Sequence, residues 1–188
     1  MPLLGTIASQ FSGKSFGSFE SIATASGTGS SGVITFSSIP SGYASLQIRV
    51  LGRSDYAGVQ DDFNIRINGD TGSNYSIHGM SGSGSTLGTF GAASQTMGGN
   101  TYYAWLPGAS AAASIMGVSI INIHDYASTT KNKTIRGIAS VDRNGSGSVN
   151  LFSTGWLSTS AITSLTLITN SSGNFTTATT IGLYGIKG

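Results

Sequence analysis

The chain has 188 residues, of which 9% are charged, with nine Lys and Arg against seven acids for a net charge of +2. It shows no basic stripe for gripping nucleic acid, no cysteine for a disulfide, a thiol nucleophile or a Cys-ligated zinc, and no apolar run of 18 residues able to cross a bilayer. Its 38% hydrophobic content can fill one domain core without a staple, and a surface so poor in Lys and Glu lacks the usual protection against edge pairing, which predicts self-association.

The first 18 residues precede any strand pattern. The stretch MPLLGTIASQFSGKSFG has no basic segment leading into a continuous apolar one, so it does not read as a signal peptide. Its scattered Leu3, Leu4, Ile7, Phe11 and Phe16 suit an assembly arm that docks on its own or a neighbouring subunit. Gly13, Lys14 and Ser15 imitate the end of a phosphate-binding loop, but Ala8 stands where that loop needs a glycine.

From Phe19 to Gly188, ten runs of strand length recur between Gly, Ser and Asn punctuation, the pattern of an antiparallel β-sandwich. In chain order they are FESIATA from Phe19, VITFSSI from Val33, LQIRVLG from Leu46, FNIRING from Phe63, YYAWL from Tyr102, IMGVSIINIHDY from Ile115, KTIRGIASVD from Lys133, VNLFSTGW from Val149, ITSLTLIT from Ile162 and TIGLYGIKG from Thr180. Leu46, Ile48 and Val50 fall on one face, opposite Gln47, Arg49 and Leu51; Phe63, Ile65 and Ile67 alternate with Asn64, Arg66 and Asn68. Asn-Gly pairs at Asn68 and Asn144 predict tight turns with positive φ. Residues 81–100 are poor in apolar periodicity and read as a long surface excursion.

Motifs for chemistry are weak. Gly27, Gly29 and Gly32 match a dinucleotide fingerprint, yet lead into another strand instead of a helix. His78 and His124 have no zinc-spaced partner and read as half-buried or turn residues. Asn68, Asp70 and Gly72 imitate a calcium loop whose bidentate Glu is replaced by Gly79. Asp61 and Asp62 are adjacent, so a strand would send them to opposite faces, against a paired-carboxylate hydrolase. Tyr102, Tyr103 and Trp105 cluster after the glycine-rich stretch as possible glycan-stacking rings, with core packing as the competing role. Trp156 reads as core. No catalytic residue, cofactor site or metal site is expected.

FESIAT, ITFSSIPSGY, LQIRV, INGDTGSNY, HDYAST with KNKTIR, VDRNGSG, GWLSTSAITSLTL and LYGIKG follow one another in that order. Together they resemble a family of small virion structural proteins of tailed bacteriophages, including cyanobacterial and other aquatic phages. The resemblance covers about residues 19–188 and is weakest over residues 81–114. It implies a non-enzymatic particle protein, assembled in the bacterial cytoplasm and localised to the virion. Two placements follow: a capsid cement or decoration protein bridging the major capsid protein, or a tail-fibre or head-fibre module binding host-surface glycans. The combined expectation is an all-β, jelly-roll-like sandwich over residues 19–188 with an N-terminal arm over residues 1–18, working as a homo-oligomer, a trimer, with other virion proteins as partners and neither nucleic acid nor membrane among them.

Overall fold

The computed structural model describes residues 18–96 and 104–188. Twelve strands make up its regular structure: β1 (Phe19–Ser26), β2 (Val33–Phe36), β3 (Ser45–Gly52), β4 (Gln60–Ile67), β5 (Tyr75–Gly82), β6 (Leu87–Gln95), β7 (Ala104–Pro107), β8 (Gly117–His124), β9 (Lys133–Asp142), β10 (Gly147–Trp156), β11 (Leu165–Thr169) and β12 (Thr180–Ile186). They form two antiparallel sheets, an eight-stranded one in the order β1-β12-β3-β8-β9-β10-β5-β6 and a four-stranded one in the order β2-β11-β4-β7. The expected antiparallel sandwich is therefore the observed fold. Only β5–β6, β8–β9 and β9–β10 connect neighbours within one sheet, while every other connection crosses between the two sheets.

The core forms where period-two alternation from both sheets meets. Leu46, Ile48, Ile121, Ile135, Phe152 and Leu183 come from the large sheet, and Phe63, Ile65, Ile67, Leu165 and Leu167 from the small one. Each such side chain contributes roughly 1.5–3 kcal/mol by leaving water. The two Asn-Gly signals close as expected: Asn68 and Gly69 have φ of 50° and 70° between β4 and β5, and Asn144 and Gly145 have 59° and 95° between β9 and β10. The glycine fingerprint is a β-to-β connection, in which Gly27 passes so close to the Thr176 carbonyl that a Cβ would lie 2.1 Å from it.

The stretch expected as a long surface excursion contains regular structure. Residues 75–82 and 87–95 pair as a hairpin, turned through Ser83–Thr86, and β10 pairs with its β5 arm. The single large apolar side chain of β6 after Leu87 is Phe90, whose ring lies over Gly79 of β5. Cross-strand hydrogen bonds and that aromatic cover hold a segment whose own side chains carry no strand pattern.

Candidate functional site

The outward face of the large sheet departs from ordinary alternation. In-register residues on neighbouring strands share a face, and the register aligns Met80 on β5 with Leu151 on β10, Ile138 on β9 and Ile120 on β8. Each of these four is between 39% and 48% exposed. With strands about 4.8 Å apart, the row runs roughly 15 Å across the sheet. Val149, Val118 and Leu51 lie exposed in the next row, and the first row continues through Arg49, whose guanidinium lies 5.1 Å from the Phe19 ring centre and 4.9 Å from that of Tyr184. A polar row of Ser153, Arg136, Asn122 and Gln47 flanks the apolar one. At one end of the sheet, β6 presents nine residues without a charge or a proline as an edge strand.

Strand β4 carries the second unusual feature. Asp61 and Asp62 point to opposite faces, as adjacency requires, yet both are buried, at 1% and 6% exposure, because both faces of this inner strand are covered. Asp61 Oδ1 accepts from the backbone N–H groups of Ser171 (3.1 Å) and Asp62 (2.8 Å). Among the described residues neither Asp61 Oδ2 nor Asp62 Oδ2 has a hydrogen-bond partner. Burial, and then the neighbouring Asp61, push the Asp62 carboxyl up to about 7, although a hydrogen bond with the Asn170 side chain draws it back. Asp62 and Trp105 are cross-strand partners. With Gln60 they form one wall of a cleft of about 360 Å³, whose opposite wall is Ser81, Phe90 and Asn150 of the large sheet. Arg143, in the β9–β10 turn, donates to Gln60 Oε1 at 3.0 Å and orients that amide.

Of the residues expected to matter, Trp105 is the half-buried ring on β7 beside Asp62. Tyr102 and Tyr103, and the arm residues Leu3, Leu4, Ile7, Phe11 and Phe16, lie outside the described residues. His78 and His124 are exposed on strands instead of half-buried or in turns, because both fall on the outward parity of β5 and β8. Asp70 is a structural hub: its carboxylate accepts from Gly72 N–H (2.8 Å), Asn74 Nδ2 (3.0 Å) and Trp156 Nε1 (2.8 Å), and Trp156 is buried in the core. Burial pushes its carboxyl up, but these donors together hold it below the usual carboxylate range. No cluster of three metal-ligating side chains exists among the described residues.

Two buried cations escaped the sequence reading. Arg53 Nη1 donates to the carbonyls of Ala112 (2.7 Å) and Ile115 (3.1 Å), while Nη2 donates to those of Gly108 (2.8 Å), Ala109 (3.3 Å) and Ala111 (2.7 Å). Lys133 Nζ donates to Ser128, Lys131 and Thr159 carbonyls at 2.8, 2.7 and 3.3 Å, and burial lowers its pKa, with Asp125 opposing. Neither has a local motif, because the acceptors are backbone atoms of loops distant from any pattern in side-chain type. In comparisons with known proteins, no family model, no curated protein and no solved structure matches the chain.

Proposed function

We propose that the chain is a non-enzymatic structural subunit of a bacteriophage virion, a capsid cement or decoration protein or accessory particle subunit, that works through the interfaces of a homo-oligomer. The observation that carries the reading is the exposed apolar row of Met80, Leu151, Ile138 and Ile120 on the outward face of the large sheet. Contiguous apolar surface of this kind marks interaction sites in soluble proteins, and the uncharged edge of β6 leaves backbone donors and acceptors for a further strand. Identical interfaces repeated in a closed ring, here a trimer, bury both features in every copy. The virion assignment, with the major capsid protein or a tail or fibre protein as partner, is supported by the ordered motifs from FESIAT to LYGIKG.

In analytical ultracentrifugation the wild-type chain is expected to sediment as an oligomer, and a double variant with Ile138→Lys and Leu151→Lys as a folded monomer. A wild-type monomer throughout the micromolar range overturns the oligomeric reading. Cryo-electron microscopy of phage particles carrying the chain is expected to place it on the capsid, and its absence from purified particles by mass spectrometry overturns the virion reading. A tail-fibre or head-fibre module that binds host-surface glycans is the second reading, favoured by one observation, the Trp105 ring on the wall of a cleft that also carries the polar side chains of Gln60, Asp62, Ser81 and Asn150.

A further inference from the structure

The cleft between β4–β7 and β10–β5–β6 has the composition of a ligand site rather than of a packing defect. Its volume of about 360 Å³ falls at the small end of the roughly 300–1,000 Å³ of small-molecule pockets, space for one or two pyranose rings. A void left by poor packing would be apolar and dry. This one carries two aromatic rings, two side-chain amides, a hydroxyl and a carboxyl from five strands.

We propose that this cleft binds a neutral saccharide of one or two rings, with Trp105 as the stacking platform. The C–H face of a pyranose is apolar and pairs with an aromatic ring, while its hydroxyls both donate and accept. Cross-strand pairing sets the Cβ atoms of Asp62 and Trp105 roughly 4.5–5.5 Å apart, so a sugar lying on the indole has its rim beside the carboxyl. Asp62 Oδ2 is buried and has no donor among the described residues, and a turn of the carboxyl toward the cleft would present it to a ligand hydroxyl. With Oε1 held by Arg143, the Gln60 amide offers its NH₂ to a sugar oxygen, and Asn150 stands opposite, paired with Ser81. A carboxyl pushed up to about 7 is present in both its neutral and charged forms near neutral pH, matching a ligand whose hydroxyls can serve as either partner. Amides and a hydroxyl set around the rings suit an uncharged polyol better than an ammonium, which has nothing to accept with.

The inference deepens the glycan-binding reading by assigning the site and ligand class, and it is independent of where the protein sits in a particle. The chain has two tryptophans, Trp105 in the cleft and Trp156 in the core, so the indole N–H signals of the ¹⁵N-labelled full chain separate the cleft from the rest. The probes are the methyl glycosides of glucose, galactose, mannose and N-acetylglucosamine, with maltose, lactose and cellobiose, and choline as the cationic control. At least one sugar is expected to give saturation-transfer signals and to move the Trp105 indole signal saturably, with Kd near 1 mM, about −4 kcal/mol, while Trp156 stays in place. Asp62→Asn is expected to weaken that sugar at least about tenfold. Trp105→Phe, which keeps a ring for packing, identifies the signal and is expected to retain weaker saturation transfer. Saturation transfer without movement of the Trp105 signal overturns the cleft assignment and leaves glycan binding elsewhere on the protein. No saturation transfer from any sugar overturns both, and a Trp105 response to choline alone overturns the ligand class.

Discussion

Buried charge is handled in opposite ways at the two ends of the β3–β4 connection. Arg53, at its start, is buried without a counter-ion among the described residues, yet five carbonyls of the β7–β8 loop surround the guanidinium and accept from its two terminal nitrogens. Asp61 and Asp62, near its other end, are as deeply buried, and each keeps one oxygen without a partner among the described residues. Desolvating a charge without hydrogen bonds costs several kcal/mol. The arginine is therefore a loop anchor whose two terminal nitrogens find their acceptors within the subunit. The acid on the cleft wall is a group for which the fold supplies too few partners, and such groups are where a protein has most to gain from a ligand.

The largest expected effect breaks the satisfied side of that comparison. Arg53→Ala removes the centre of the cage and leaves its carbonyls buried, and should lower unfolding free energy by about 3–5 kcal/mol, read from the denaturant midpoint. Arg53→Lys, with three donors on one atom instead of a planar fork, should recover part of this loss; full recovery by Lys would show that charge matters and fork geometry does not.

On the unsatisfied side the sign reverses. Asp62 holds its proton up to about 7 in the native state and releases it near 3.8 when unfolded, so between those values the native chain binds more protons. Stability should fall as pH rises from about 4 to 7 and level off above, by an amount on the order of 2–4 kcal/mol. Asp62→Asn should flatten that limb and exceed the wild type in stability at pH 8. A wild-type profile that rises through this window would contradict the burial of Asp62.

The smallest effect concerns an acid that is satisfied. Asp70→Ala removes the acceptor of the Trp156 indole and of the Asn68–Asn74 turn, for a loss of about 1.5–3 kcal/mol at neutral pH. Because the native Asp70 carboxyl lies below its unfolded value, its contribution is present above about pH 4 and lost as pH falls through the native pKa, so wild type and variant should converge in acid. Comparing the acid limbs of Asp62→Asn and Asp70→Ala separates the two kinds of carboxylate in one titration series.

Much of the scaffold was legible because burial on a sheet has period two. Leu46, Ile48 and Val50, and Phe63, Ile65 and Ile67, are buried on the faces that alternation assigns them. Strand β6 was not legible, since LGTFGAASQ owes its conformation to pairing with β5 and to Phe90 lying over Gly79. The outward row on the large sheet was half legible: Leu51 was placed away from the core by parity, but its row partners come from strands distant in sequence, and only register brings them together. For Asp61 and Asp62, parity correctly separated the faces and could not say that both were covered.

By itself, then, the sequence determined an all-β chain with a weakly charged surface, ten of its strands and the Asn-Gly turns at Asn68 and Asn144, all of them local properties carried by residue type, side-chain period and backbone φ. Tertiary structure alone decided which strands neighbour one another, and through that the apolar row, the cage around Arg53 and the cleft of Asp62 and Trp105. These depend on strand order and on backbone carbonyls, and neither leaves a trace in the spacing of residue types along the chain.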